Sequence, residues 1–284
     1  MNGQPDRSGR LAGILTLLIL MAGLPSAASA QQSTTTALPP ITGDFRLMLL
    51  QDFMADAALV RSTWLEARGD YADWGDGGKD VSAMGVVAFN IKDTVELGGT
   101  FGYLDRDRSA DQVLFGDRLT SDISNNGFED VNIYGKMVFG QPTWPWAAGF
   151  LIKFPTADEK EFLGSGAADY QLFVANRLPR TKYVWIWNAS VRFNGDPDIS
   201  GAGSGKTSVA AGGGIILRLS YSWSFLAESR YESRRYDGGD SYFSVMPTFD
   251  FRPTENIALR LGVAFGLADG APNEDYSFGF VFHL

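Results

Sequence analysis

The sequence predicts an all-β chain, an antiparallel transmembrane β-barrel of about twelve strands over residues 62–284. Three observations predict it. From about Thr63 onward, apolar and polar side chains alternate with a period of two in segment after segment. The connections between those segments are alternately short and long. The composition, with 33 glycines, 13% aromatic residues and a mean hydropathy of -0.07, suits sheets that show one apolar and one polar face.

The N-terminus comes first. Arg7 and Arg10 precede an apolar run over residues 11–24, then Pro25 and Ala28-Ser29-Ala30 ahead of Gln31, the pattern of a secretory signal peptide over 1–30. Residues 31–61 form a leader or short periplasmic segment. Its 31–42 part is Ser/Thr/Pro-rich, and its apolar-rich 45–60 part is open between a short helix, a plug and an extra hairpin. No later stretch is long and apolar enough to span a bilayer as a helix, so insertion must be by strands.

Strands are expected near 62–71, 81–91, 94–104, 128–140, 146–155, 167–177, 181–194, 207–219, 223–235, 241–252, 256–267 and 276–284. Each is near the roughly 9 to 11 residues that a tilted strand needs to cross hydrocarbon. The alternation is plainest where Ile257, Leu259, Leu261, Val263, Phe265 and Leu267 interleave with Ala258, Arg260, Gly262, Ala264 and Gly266. A second case sets Phe243, Val245, Pro247, Phe249 and Phe251 against Ser244, Met246, Thr248, Asp250 and Arg252. Tight connections at Lys92-Asp93, 141–145, 178–180, 220–222 and 253–255 alternate with long ones at 105–127, 156–166, 195–206, 236–240 and 268–275. Short periplasmic turns and longer outer loops give that rhythm. Aromatic residues collect at both ends of the strands, with Trp144, Trp146, Trp185, Trp187, Tyr221 and Trp223 toward the turns and Tyr71, Trp74, Tyr103, Tyr242 and Tyr276 toward the loops. The final segment puts Tyr276, Phe278, Phe280, Phe282 and Leu284 on one face. It resembles the sorting signal of bacterial outer-membrane barrels, which implies the barrel-assembly machinery as a partner and the bacterial outer membrane as the location.

Apolar faces toward lipid leave the charged faces for the lumen, because a basic side chain facing hydrocarbon costs about 2–4 kcal/mol at the midplane. Arg192, Arg218, Glu228, Arg230, Glu232, Arg234, Asp250, Arg252 and Arg260 are the expected constriction. With Glu66, Arg68, Asp70, Glu96, Asp130, Lys136, Lys153 and Asp169 they make a mixed, nearly neutral wall, which argues against a one-sign ion filter. Such a wall suits a conducting lumen or a closed, salt-bridged one. The acids of the outer loops, Asp105, Asp107, Asp111, Asp117 and Asp122 in one of them, suit either plain solvation or divalent cations shared with the lipopolysaccharide of the outer-membrane lipid.

Several classes are set aside. The chain has no cysteine, so it has neither disulfides nor thiolate metal sites, and His283 is its single histidine. The formal net charge of -9 argues against nucleic acid. Gly203-Ser204-Gly205-Lys206-Thr207 ends like a phosphate-binding loop, but Ser200 stands where that motif needs glycine. No cofactor or metal is expected and the reading is of a non-enzyme; a structural or adhesive barrel and, behind it, an outer-membrane lipid hydrolase using His283 are the alternatives.

Over residues 127–284 three motifs occur in order: Gly127-Phe128-Glu129-Asp130, then Lys153-Phe154-Pro155-Thr156-Ala157-Asp158, then Gly164-Ser165-Gly166 with Asp169. Together they resemble the outer-membrane transporter family named for the meta-cleavage pathway of phenol degradation. In that family a Gly-x-x-Asp opens a strand, a Pro-Thr-Gly-Asp follows a lysine-bearing strand and a Gly-Ser-Gly precedes the next. This chain departs at Ala157, where the family has glycine. The resemblance implies a channel for passive passage of small organic, often aromatic or hydrophobic, solutes.

Overall fold

The computed structural model describes residues 48–58, 63–91 and 94–284. The expected signal peptide, the leader up to residue 47 and the turn at Lys92-Asp93 lie outside the described residues. Among those described, the strands are β1 (Trp64–Asp73), β2 (Gly78–Ile91), β3 (Val95–Arg108), β4 (Val113–Leu114), β5 (Asp117–Arg118), β6 (Ile123–Phe128), β7 (Val131–Gln141) and β8 (Trp144–Phe154). They continue as β9 (Asp169–Pro179), β10 (Tyr183–Phe193), β11 (Thr207–Arg218), β12 (Trp223–Glu232), β13 (Tyr242–Thr254), β14 (Ile257–Gly266) and β15 (Glu274–His283). Each expected strand is present within a few residues of its expected bounds.

Neighbours along the chain pair antiparallel, and β15 closes the sheet on β1 in a register running from Trp64 opposite His283 to Asp73 opposite Glu274. β6 and β7 share one stave: β6 pairs with the far half of β3 and β7 with its near half. The result is a closed antiparallel barrel of twelve strands. Closure leaves no unpaired edge, which the final, wholly apolar strand face requires.

Three departures have local causes. The expected strand at 128–140 steps at Glu129-Asp130, where the Asp130 carboxylate accepts the N–H groups of Thr156 and Ala157, both at 3.1 Å. The loop expected at 105–127 contains the small β4–β5 hairpin. Arg234 does not face the lumen: β12 ends at Glu232, Arg234 is exposed, and Arg235 turns in to Glu232 instead. Beyond Glu232 the regular ladder gives way to scattered hydrogen bonds, Ser233 N–H to the Val209 carbonyl and Lys206 N–H to the Arg235 carbonyl, and strict parity lapses there.

Side chains divide by face as a barrel in lipid requires. Trp185, Leu261 and Phe278 stand outward, 51%, 59% and 54% exposed, while Glu228, Asp250 and Arg260 point inward and are buried. The inward face is itself divided along the barrel axis. Toward the short-turn end it carries an apolar patch, with Val184, Ile186, Ile216, Leu226, Ala258 and Val281 all buried, beside buried charges at Glu96, Lys136, Arg177, Asp250 and Arg260; toward the long-loop end it is polar and charged. Leu261→Arg, at the middle of β14 on the outer face, is expected to cost about 2–4 kcal/mol of unfolding free energy in lipid vesicles, measured by urea titration.

Candidate functional site

Residues 48–58 lie inside the barrel. Met48, Leu49 and Leu50 are buried against that apolar inner wall, and Phe53, in a single 3-10 turn over Phe53–Ala55, sets its ring edge-on to Trp64 and Tyr134 at 5.9 and 6.1 Å. Glu96 fixes both of those rings, accepting from Trp64 Nε1 at 3.2 Å and Tyr134 Oη at 3.0 Å, and pairs with Lys136 Nζ at 3.1 Å. The 45–60 stretch, whose state the sequence left open, is a plug over its described part.

A segment without sheet partners must satisfy its backbone elsewhere. Glu228 accepts the Leu50 N–H at 2.9 Å and the Gln51 N–H at 3.1 Å, and Arg68 Nη1 donates to the Leu50 carbonyl at 2.6 Å. Two aspartates then meet wall arginines. Asp56 is locked to Arg177, Nη2 to Oδ2 at 2.8 Å with Nε on the other oxygen, and both side chains are buried. Asp52 approaches Arg230 at 3.5 Å, both side chains about one-fifth exposed (19% and 22%). Gly212 makes room for it, since a Cβ there would lie 2.8 Å from Asp52 Oδ2.

Beyond the plug lies a chamber of about 370 Å³. Gln51, Asp52, Met54 and Ala55 contribute its plug side; Lys153, Gln171, Arg192, Arg230 and Arg235 are on its wall. Phe115, from the β4–β5 hairpin, reaches it from the loops, with its ring 5.8 Å from that of Tyr236 and its carbonyl accepting from the Gly203 N–H at 3.1 Å. Gly116, at φ 82°, is required at the hairpin tip, where a Cβ would collide with the Asp237 carbonyl. A second space of about 310 Å³ shares Gln51, Arg106, Glu129 and Arg230 with the first.

The motif residues Asp130, Lys153 and Gly164 line this chamber. Lys153 Nζ contacts Asp130 Oδ2 at 3.3 Å, Asp169 Oδ2 at 3.1 Å and Ser165 Oγ at 2.6 Å. Thr156 Oγ1 accepts from the Val131 N–H at 2.9 Å, and Asp158 accepts from the Lys160 N–H at 3.0 Å. Gly127 and Gly164 permit close packing, since a Cβ would meet Leu163 at 2.5 Å or Asp130 at 2.8 Å; Gly166 has φ 70°. Pro155 sits where β8 has ended.

The remaining expected constriction residues separate. Arg192 and Arg230 line the chamber, and Glu232 lies behind it on Arg235 and Arg230. Asp250, Arg252 and Arg260 are joined nearer the short-turn end: Arg252 Nε to Asp250 Oδ1 is 3.1 Å, Arg260 Nε to Asp250 Oδ2 is 3.4 Å and Arg260 Nη1 to Glu66 Oε2 is 3.9 Å. Arg218 lies at the rim of a turn, its guanidinium 5.4 Å from the Tyr221 ring centre. Asp52, Asp56, Arg177 and Arg235 were not among the expected site residues. Asp52 and Asp56 carry one signal: two acids four apart in an apolar stretch that fits no strand.

No family model and no curated protein matches the chain. Solved structures do resemble its fold. An outer-membrane channel from Pseudomonas putida F1 has a TM-score of 0.62 at 14% identity, over 81% of this chain and 98% of that one. The KdgM porin has 0.53 at 10% identity, over 78% and 99%, and the NanC porin 0.53 at 14%, over 78% and 100%. The shared property is the outer-membrane barrel fold.

Asp56→Ala leaves Arg177 without its buried carboxylate. The seating of residues 48–58 is expected to weaken by about 3–5 kcal/mol, read as faster proteolysis within the segment while the barrel stays heat-modifiable on gels.

Proposed function

We propose that the protein is a channel of the bacterial outer membrane for passive passage of small organic solutes, held in a restricted state by residues 48–58. The chamber between the plug and the β4–β5 hairpin carries this reading. A purely structural barrel of this girth has no use for such a space in its charged half, whereas a conduit needs one. The apolar outer face and the likeness to channels and porins support an outer-membrane location, with short turns toward the periplasm and long loops toward lipopolysaccharide. The assembly machinery is the expected partner of β15. Aromatic and hydrophobic solutes are proposed from the resemblance to the phenol meta-pathway family, of whose motif residues Asp130 and Asp169 here meet Lys153. Catalysis is not part of the reading: His283 is buried at the short-turn end opposite Trp64, far along the barrel from the long loops.

Single-channel recording in planar bilayers tests the proposal. The intact chain is expected to give a small conductance, and a variant lacking residues 48–58 one several-fold larger, because the segment is packed inside the barrel against its inner wall. Silence from both, with folded barrels confirmed by gel mobility, would overturn it and favour the structural barrel.

A further inference from the structure

We infer that the chamber is a docking site for the carboxylate of a small organic anion, built by Arg192, Arg230 and Arg235, and that Asp52 of the plug is its tethered competitor. The inference rests on the channel reading for its biological sense but not for its test.

The charges in the chamber do not cancel locally. Lys153 is occupied by Asp130 and Asp169, and Arg106 by Asp80 at 3.3 Å and by the Phe162 carbonyl. Three guanidiniums remain. Glu232 holds Arg235 in a two-pronged pair, at 2.6 and 2.7 Å, and the same carboxylate takes Arg230 at 3.0 Å. One acid therefore serves two bases. Arg192 has an amide in place of a carboxylate: its Nε and Nη2 donate to Gln171 Oε1, the former at 3.1 Å, and no acid lies within ion-pair distance among the described residues. An amide oxygen accepts hydrogen bonds but brings no counter-charge, so this corner sets three guanidiniums against the one carboxylate of Glu232, while the chamber's other wall acids, Glu129 and Asp130, lie on the side of Arg106 and Lys153.

Asp52 is the acid nearest to filling that deficit, and it does so loosely. Its 3.5 Å approach to Arg230 exceeds the roughly 2.7–2.9 Å of a charge-assisted hydrogen bond, and both side chains are accessible. Asp56, four residues on, shows the other extreme in its dry clamp on Arg177. The plug thus has one fixed aspartate and one that an incoming carboxylate can replace. For the solute's body the chamber offers Met54, Leu151, Leu163 and Phe173, with Phe115 and Tyr236 above them. Guanidinium forks suit a planar carboxylate in two-point contact, and the apolar side suits a ring or short chain.

The test is isothermal titration calorimetry of the full chain in detergent micelles, with benzoate and its neutral counterpart benzamide as probes. Benzoate is expected to bind one to one and benzamide not to bind. Arg192→Gln should weaken benzoate about tenfold or more, and Asp52→Asn should tighten it several-fold by removing the competitor. Tightening is the readout that a merely structural Asp52 would not give. Should Arg192→Gln fail to fold, Arg192→Lys keeps the wall's charge while losing the fork, and about tenfold weaker binding is again expected. Equal binding of the two probes, unchanged affinity in the folded Arg192 variant, or no tightening in Asp52→Asn would overturn the inference. Binding without conduction in bilayers would sink the channel reading alone; conduction without benzoate binding would sink only this site.

Discussion

Arg177 is buried deep within the barrel, and a guanidinium in such a place needs a carboxylate held against it. Asp56 supplies one from residues that belong to no strand. With that pair formed, the rest of the plug has a fixed end: Phe53 reaches Trp64 and Tyr134, the Leu50 and Gln51 N–H groups reach Glu228, and the apolar inner wall is covered. Removing either charge costs more than the pair returns over a hydrophobic substitute. Its value lies in placing one segment at one depth, and hence Asp52 opposite Arg230.

The long-loop half is organised from a second centre. Lys153 gathers Asp130 from the step between β6 and β7, Asp169 from the start of β9 and Ser165 from the loop between β8 and β9. Asp130 then anchors the backbone at Thr156 and Ala157, while Asp169 accepts the Gly195 N–H at 3.1 Å. Two strand ends and two loops are thereby fixed relative to one another. That rigidity holds the wall beside Arg192 of β10, whose partner Gln171 stands two residues from Asp169 on β9, so that the chamber has a defined side.

The barrel was legible because lipid imposes a period of two on every stave, and a missed residue at one strand end does not disturb the count. Arg234 shows the limit: alternation is enforced by ladder pairing, and it lapses where β12 stops. The plug was not legible from its own residues, since a segment held by wall carboxylates and guanidiniums leaves no periodic trace. It did leave an imprint on its host. Val184-Trp185-Ile186-Trp187, Ile215-Ile216-Leu217 and Phe225-Leu226-Ala227 are apolar at both parities, all near short turns. A water-filled lumen would not ask for Val184, Ile216 and Leu226 on its inner face, so something apolar had to cover them. The motif residues were legible as a group, but the meeting of Asp130 and Asp169 at Lys153 depended on pairing between β7, β8 and β9 that sequence spacing does not encode.

The two closures of the chamber differ in strength. On the loop side, Phe115 leans on Tyr236 through a ring contact of a kind worth about 0.5–1.5 kcal/mol, with backbone hydrogen bonds near the surface where water competes. On the turn side, the obstruction is seated by a dry ion pair and an apolar bed. The loop-side closure is therefore the weaker of the two. In the proposed channel, molecules from the medium would exchange with the chamber many times before one crossed, a turnstile that samples its surroundings quickly and admits slowly.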